Sequence, residues 1–174
     1  MDLSGLEIET ERLRLTAYRE TDADEIHAAV TPEICTYMTF DPAESVDEIR
    51  AVGEKWLSDA EAGREVSAVI RRKSDGRFLG MSGLHYRKDP RPGLGIWIRA
   101  DAQGNGYGHE AIAALVGFAG RDLGEASVLY AVAEENGPSR AIPERLGGVV
   151  CGSDTIKRPS GPAYPGVVYR IATS

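Results

Sequence analysis

Between Leu94 and Val132 the chain passes from a short apolar segment into Gly104-Asn105-Gly106-Tyr107-Gly108 and on into an apolar repeat at Ile112, Leu115, Val116, Ala119 and Leu123. Spacings of three and four residues put that repeat on one side of a helix, and Gly124 supplies its stop. A second apolar segment, Ala126 to Val132, follows. The order is therefore strand, glycine-rich loop, helix, strand. Such a βαβ unit implies two parallel strands joined by a right-handed crossover, and so a chain of mixed α/β class.

Around this unit the pattern is mostly antiparallel in character. Glu11 to Tyr18 alternates Arg12, Arg14 and Thr16 with Leu13, Leu15 and Ala17, the two-residue period of a half-buried strand. Thr21 and Ser45 each precede a helical pattern, with Asp24 and Glu48 three residues on, and the second pair forms a capping box. In the second helix Ile49, Val52, Trp56, Leu57 and Ala60 are expected to form one buried face, ended by Gly63. Val66 to Arg72 and Arg77 to Tyr86 read as a hairpin turning at Lys73-Ser74-Asp75-Gly76. After the loop Asp89-Pro90-Arg91-Pro92-Gly93 comes a strand over Leu94 to Arg99. Pro138 suits the start of a short helix running to Leu146, before two last strands, Val149 to Ile156 and Ala163 to Ile171. Neither a repeat nor a linker interrupts the chain, so one domain over residues 1–174 is expected.

Charge and cysteine usage narrow the function classes. With 20 Lys+Arg against 27 Asp+Glu the net charge is −7, which argues against a direct nucleic-acid binder. Met1-Asp2-Leu3-Ser4-Gly5 lacks the basic and apolar regions of a signal peptide, and no apolar run approaches the roughly 20 residues that span a bilayer. Cys35 and Cys151 are far apart, with neither a CxxC nor a His-rich spacing to suggest a metal or disulfide framework. A cytoplasmic location without membrane attachment is expected, as a monomer or homodimer.

The glycine-rich loop is the segment that carries chemistry. Backbone N–H groups converge where such a loop opens a helix, and the helix dipole adds about half a positive charge there, so phosphate is the natural guest. A P-loop would need GxxxxGK[ST], and a dinucleotide fingerprint would need glycine at His109, whereas the spacing here is GxGxG.

Gln103-Gly104-Asn105-Gly106-Tyr107-Gly108 resembles the acyl-CoA pyrophosphate-binding signature of the GNAT superfamily of N-acyltransferases, [RQ]-x-x-G-x-[GA]. Gly95 to Asp101 before it and His109-Glu110-Ala111 after it look like the branch of ribosomal-protein alanine N-acetyltransferases. So do Glu9 to Leu15, Asn136-Gly137-Pro138-Ser139 and Glu144-Arg145-Leu146-Gly147. The resemblance implies a three-layer fold, a mostly antiparallel central sheet with one parallel strand pair and flanking helices. It implies an acetyl-CoA-dependent N-acetyltransferase acting on a primary amine, either a protein N-terminus or a small molecule. Backbone groups around Trp97, Ile98 and Arg99 would pair with the pantetheine arm, one N–H polarising the thioester. Gln103, Gly104, Asn105, Gly106, Tyr107 and Gly108 would hold the pyrophosphate, with His109 close by. Asn136 would hydrogen-bond the pantetheine, and Ser139 would contact the sulfur region or protonate the leaving thiolate.

An alkylamine must lose a proton before it attacks, so a proton acceptor is needed. Glu134 and Glu135 end a strand at the cleft on opposite faces, so at most one can point into the site; Glu134 is the candidate, with Tyr130 on the same face as a candidate proton donor. His27 and His85 carry no spacing signal and are expected to be ordinary surface or core histidines. Tyr37, Phe40, Glu44, Tyr164 and Tyr169 are candidates for an aromatic, acidic acceptor pocket. Three positions depart from the branch: Gly93 replaces its common glutamate, Pro143 lies inside the last helix, and Gly148 replaces the phenylalanine after Leu-Gly. These departures motivate the alternative of a non-catalytic acyl-CoA-binding or sensing module. An unrelated nucleotide-binding domain is a third reading.

Overall fold

The computed structural model describes residues 1–86 and 90–174; the expected loop position Asp89 lies outside the described residues. Among the described residues, eight strands and four α-helices follow the order β1 (Glu7–Glu9), β2 (Leu13–Ala17), α1 (Ala23–Ala29), α2 (Val46–Glu61), β3 (Glu65–Arg72), β4 (Phe78–His85), β5 (Gly93–Ile98), α3 (Tyr107–Arg121), β6 (Ser127–Ala133), α4 (Gly137–Arg145), β7 (Val149–Lys157) and β8 (Ala163–Ala172). The strands form one sheet in the order β1-β2-β3-β4-β5-β6-β8-β7. Every neighbouring pair is antiparallel except β5 and β6, which run parallel. This is the mixed α/β fold expected from the sequence.

Alternation along the strands divides the core between the two sheet faces. On one face Leu15, Ile70, Leu79, Leu84 and Tyr130 pack with Ile112, Leu115 and Ala119 of α3, and Ile142 of α4 joins them. On the other, Val69, Phe78 and Met81 pack with Ile26 of α1 and Ile49 of α2. The parallel pairing is short. Only Gly93↔Leu129 and Leu94↔Tyr130 are in register, after which β5 runs on to Ile98 and β6 to Ala133 without a shared ladder.

Several local expectations are corrected. Ser45 does cap α2, its Oγ accepting from the Glu48 N–H at 3.3 Å, but the Glu48 carboxylate takes the N–H of Glu44 rather than that of Ser45. Thr21 does not cap α1; a 3-10 turn over Glu20–Asp22 precedes that helix, and Asp22 accepts from the Arg19 N–H at 2.9 Å. Val52 is 46% exposed, because α2 approaches the core through Gly53, where a Cβ would collide with the Tyr18 ring. Trp56 is only partly buried and meets Tyr18 edge-on at 5.1 Å.

Two of the departures from the branch pattern explain each other. Pro143 sits inside α4 without an N–H to give, yet its carbonyl accepts from both Leu146 and Gly148, the latter at 2.8 Å. A Cβ on Gly148 would stand 2.7 Å from that same carbonyl oxygen. The turn that closes under Pro143 therefore requires a glycine here. Gly148→Ala is expected to cost about 1–3 kcal/mol through this overpacking, read as a lower midpoint in urea unfolding.

Candidate active site

The site is the gap that opens where β5 and β6 part. Antiparallel strands turn alternate backbone groups to opposite sides, and the Arg99 N–H donates to the Leu79 carbonyl at 2.8 Å, towards β4. By the same alternation Trp97 faces β4, while the N–H groups of Ile96 and Ile98 face the gap, past the last β5–β6 register pair. Of Trp97, Ile98 and Arg99, the three residues singled out in the sequence, only Ile98 thus turns its N–H to the gap. Ile96 is an addition that only the register reveals. The Trp97 side chain instead packs on Phe78, with ring centroids 5.8 Å apart.

At the end of β5 the chain turns into the glycine loop. Gln103 folds back, its Nε2 donating to the Ile98 carbonyl at 2.9 Å, and Asn105 Nδ2 donates to the carbonyls of Ala102 and Gln103 at 3.0 and 3.1 Å. Gly104 and Gly106 have φ of +78° and +77°, a region that costs an L side chain strain. Gly108 serves packing: a Cβ there would meet Ile142 Cδ1 at 3.3 Å, so the glycine lets α3 sit close to α4.

No side chain caps α3 at Gly106, so the N–H groups of Tyr107, Gly108 and His109 have no partner within the helix and point out of its positive end. This fits an anionic diphosphate. His109 is partly buried, and its Nδ1 has no partner among the described residues.

A clamp fixes this helix start to the rest of the molecule. Glu110 accepts from the Thr10 hydroxyl at 2.6 Å, the Arg12 N–H at 2.9 Å and Arg12 Nε at 2.7 Å, while Arg12 Nη1 donates to the Asn105 carbonyl at 2.9 Å. The Arg12 guanidinium also lies 4.7 Å from the Tyr107 ring centroid. Burial pulls the Glu110 carboxyl upward, but the Thr10 and Arg12 bonds outweigh it and leave the pKa below 4.5. A depressed carboxylate stabilises the fold fully above its unfolded pKa and loses that contribution as pH falls through the folded one. Glu110→Gln is therefore expected to lower stability at pH 7 by about 1.5–3 kcal/mol. It should also flatten the acid limb of a pH–stability profile below about pH 4.5.

On the β6 side, Tyr130 and Ser139 bring two hydroxyls within 2.7 Å. Tyr130 is 2% exposed, and burial pushes its phenol up to about 12 against the opposing hydrogen bond from Ser139. Asn136 caps α4, its side-chain oxygen accepting from the Ser139 N–H at 3.4 Å, which sets the serine on the first turn of that helix. Glu134 lies beyond the end of β6 with an exposed side chain. Its backbone N–H donates to Pro165 and its carbonyl accepts from Arg140, and Glu135 beside it is exposed as well.

The proposed aromatic pocket is divided. Tyr37 and Tyr164 meet edge-on at 5.0 Å, and Asp41 accepts from both the N–H and the hydroxyl of Ser160, so the segment between α1 and α2 docks on the β7–β8 turn. Phe40 is 37% exposed and Glu44 is exposed. Tyr169 belongs elsewhere: it is buried on the α3/α4 face, donating to Glu144 at 2.7 Å and accepting from Arg140 Nε at 3.0 Å.

No helix among the described residues is long and apolar enough to cross a membrane. No curated protein sequence matches the chain. Solved structures do. RimL, a ribosomal alpha-N-protein acetyltransferase in complex with coenzyme A, is 17% identical with a TM-score of 0.83, over 96% of this chain and 98% of its own. Mycobacterium smegmatis RimJ in complex with CoA-disulfide is 19% identical with a TM-score of 0.79, over 92% and 81%. A GNAT-family acetyltransferase from Bacillus anthracis is 16% identical with a TM-score of 0.80, over 97% and 99%. Acetyl-CoA as cosubstrate fits this family. The acetyltransferase (GNAT) domain model matches residues 12–149, well over half of the sequence, and the chain belongs to that family.

Proposed function

We propose that this chain is an acetyl-CoA-dependent N-acetyltransferase that moves an acetyl group directly to a primary amine, of a protein N-terminus or a small molecule. One observation carries the reading: β5 and β6 part at the point on which the uncapped start of α3 and the Tyr130–Ser139 pair converge. The gap offers free strand groups to an extended pantetheine, which would lie between the strands as an added strand does. Gln103, Gly104, Asn105, Gly106, Tyr107 and Gly108 would hold the diphosphate, with His109 on the same first turn. The Ile98 or Ile96 N–H would polarise the thioester carbonyl. Asn136 holds Ser139 in place through its cap, and Ser139 with Tyr130 would return a proton to the departing thiolate. Both substrates are held at once, so transfer needs no covalent enzyme intermediate.

Thermal unfolding with acetyl-CoA, with ATP and NAD as controls, tests the cosubstrate. A ligand at one hundred times its dissociation constant adds about 2.7 kcal/mol, a shift of several degrees in a domain of this size. Release of CoA thiol on adding amines tests transfer. Binding without thiol release would favour a sensing module, and no selective shift would sink the acyl-CoA reading altogether.

A further inference from the structure

Tyr130 packs in the core under α3 and bonds Ser139 of α4, so the cosubstrate site proposed above lies on the α3/α4 face of the sheet. The α1/α2 face is left for the acceptor. Val167 and Tyr169 of β8 belong to the α3/α4 core, and by alternation Tyr164 and Gly166 face the other way. Their partners across the hairpin, Ile156 and Asp154, share that face. Tyr164 meets Tyr37 there, so the segment between α1 and α2 covers the outer end of the hairpin. This is the opposite end of β8 from Arg170, the level at which His85 ends β4 and Gly93 starts β5.

Arg158 continues the row, two residues past Ile156 at the hairpin tip. Its side chain lies over Gly161, where a Cβ would collide with Nε, Cγ and Cδ. Nε is buried with no hydrogen-bond partner among the described residues, and Asp41 Oδ1 stands 3.7 Å from it, too far for a hydrogen bond. Asp41 is engaged elsewhere: Oδ1 accepts from the Ser160 hydroxyl at 2.7 Å and Oδ2 from the Ser160 N–H at 3.0 Å. Two other arginines at the gap are hydrogen-bonded. Arg99 donates to Asp101 and the Phe78 carbonyl, and Arg140 to Tyr169 and the Glu134 carbonyl. A guanidinium held in place with its N–H groups unmatched costs stability, and its planar fork suits a carboxylate. The Arg158 side chain is 22% exposed, so a ligand can reach its outer nitrogens.

We propose that Arg158 selects the acceptor by binding a carboxylate carried on the same molecule as the amine. This rests on the transferase reading above and names the acceptor class for it. Gly166 is level with Ala133 at the end of β6, where the gap is open, and Asp154 opposite Gly166 is four residues from Arg158, about 13 Å along an extended chain. A carboxylate one hydrogen bond short of the guanidinium lies about 10 Å from an amine at the level of Ala133. That is too far for the α-carboxylate of a free α-amino acid. An extended peptide advances about 3.3–3.6 Å per residue, so an Asp or Glu side chain at its second or third position reaches Arg158, passing the Tyr37–Tyr164 pair. A long-chain ω-amino acid offers the same spacing without a peptide.

The test is acetylation by the full chain with acetyl-CoA, read as release of CoA thiol. The acceptors are a peptide with glutamate at its third position, its glutamine and lysine twins, and a long-chain ω-amino acid against the matching alkylamine. The acidic member of a pair should have about tenfold higher kcat/KM, mostly through a lower KM, and the pair that shows this identifies the source of the carboxylate. Arg158→Gln should bring that ratio to about one while keeping the thermal shift with acetyl-CoA. Arg158→Lys should keep part of it, and Arg158→Glu should turn the preference towards the lysine peptide. A wild-type ratio near one in both pairs would overturn the proposal, as would a ratio that survives Arg158→Gln. Equal preference for a peptide with its glutamate moved to the sixth position would also overturn it, since the reach would then be wrong. A wild-type protein that binds acetyl-CoA but releases no thiol with any acceptor would overturn the transferase reading, and this inference with it.

Discussion

Replacing Gly106 by glutamate is expected to abolish the thermal stabilisation that acetyl-CoA gives the wild-type protein. At this position φ is +77°, so any side chain brings backbone strain of about 1–2 kcal/mol. Gly106→Ala carries the same strain without charge. The glutamate adds a carboxylate at the positive end of α3, which stabilises the free helix by a few tenths of a kcal/mol to about 1 and opposes a diphosphate for the same N–H groups. The alanine variant should therefore melt lower than wild type but keep part of its shift with acetyl-CoA. The glutamate variant should melt near the alanine variant or above it and shift by less than 1 °C, a loss of the roughly 2.7 kcal/mol of ligand stabilisation. Equal shifts in both variants would place the diphosphate away from this helix start.

Removing the Tyr130 hydroxyl should produce the second large effect. Tyr130→Phe keeps the ring in the core and leaves Ser139 without its 2.7 Å partner. If this pair returns the proton to the thiolate, kcat should fall about 100-fold or more, with little change in the KM for acetyl-CoA. Ser139→Ala should do the same, and the double variant should be little worse than either, as befits two groups acting as one unit. The cost in stability is about 1 kcal/mol, too small to explain such a loss. The phenol also contributes a pH signature. Its pKa is raised from 10.0 to about 12, so its stabilising contribution is complete below pH 10 and is lost as pH rises towards 12. Tyr130→Phe should flatten the alkaline limb of stability over that window. Activity within a few-fold of wild type in both single variants would remove the pair from the chemistry.

Short-range patterns were the legible part of this chain. Two-residue alternation marked β2, three- and four-residue spacing marked α3, and the turn sequence at Lys73 to Gly76 marked the hairpin of β3 and β4, because each depends on residues close along the chain. The three-residue β1 was missed, since so short a segment shows no period. The buried stripe of α2 was placed wrongly at Val52 because the Tyr18 ring, a contact from outside the helix, draws Gly53 inward. Strand order was not legible either. β8 inserts between β6 and β7, and nothing local to a strand says which edge it will find.

The candidate site divides along the same line. Its glycine loop could be found by sequence alone, because positive φ and an open helix start are demands made on consecutive residues. The Tyr130–Ser139 contact joins residues nine apart through a helix cap, and both were candidates before the fold placed them together. Tyr169 was misassigned to the acceptor pocket, since its face depends on the register of β8 against β6. Residues adjacent or one helical turn apart carried the βαβ unit, the uncapped helix start after the glycine loop and the family. Tertiary structure alone decided where the sheet splits and which N–H groups face the gap, because both are set by pairing between strands distant along the chain.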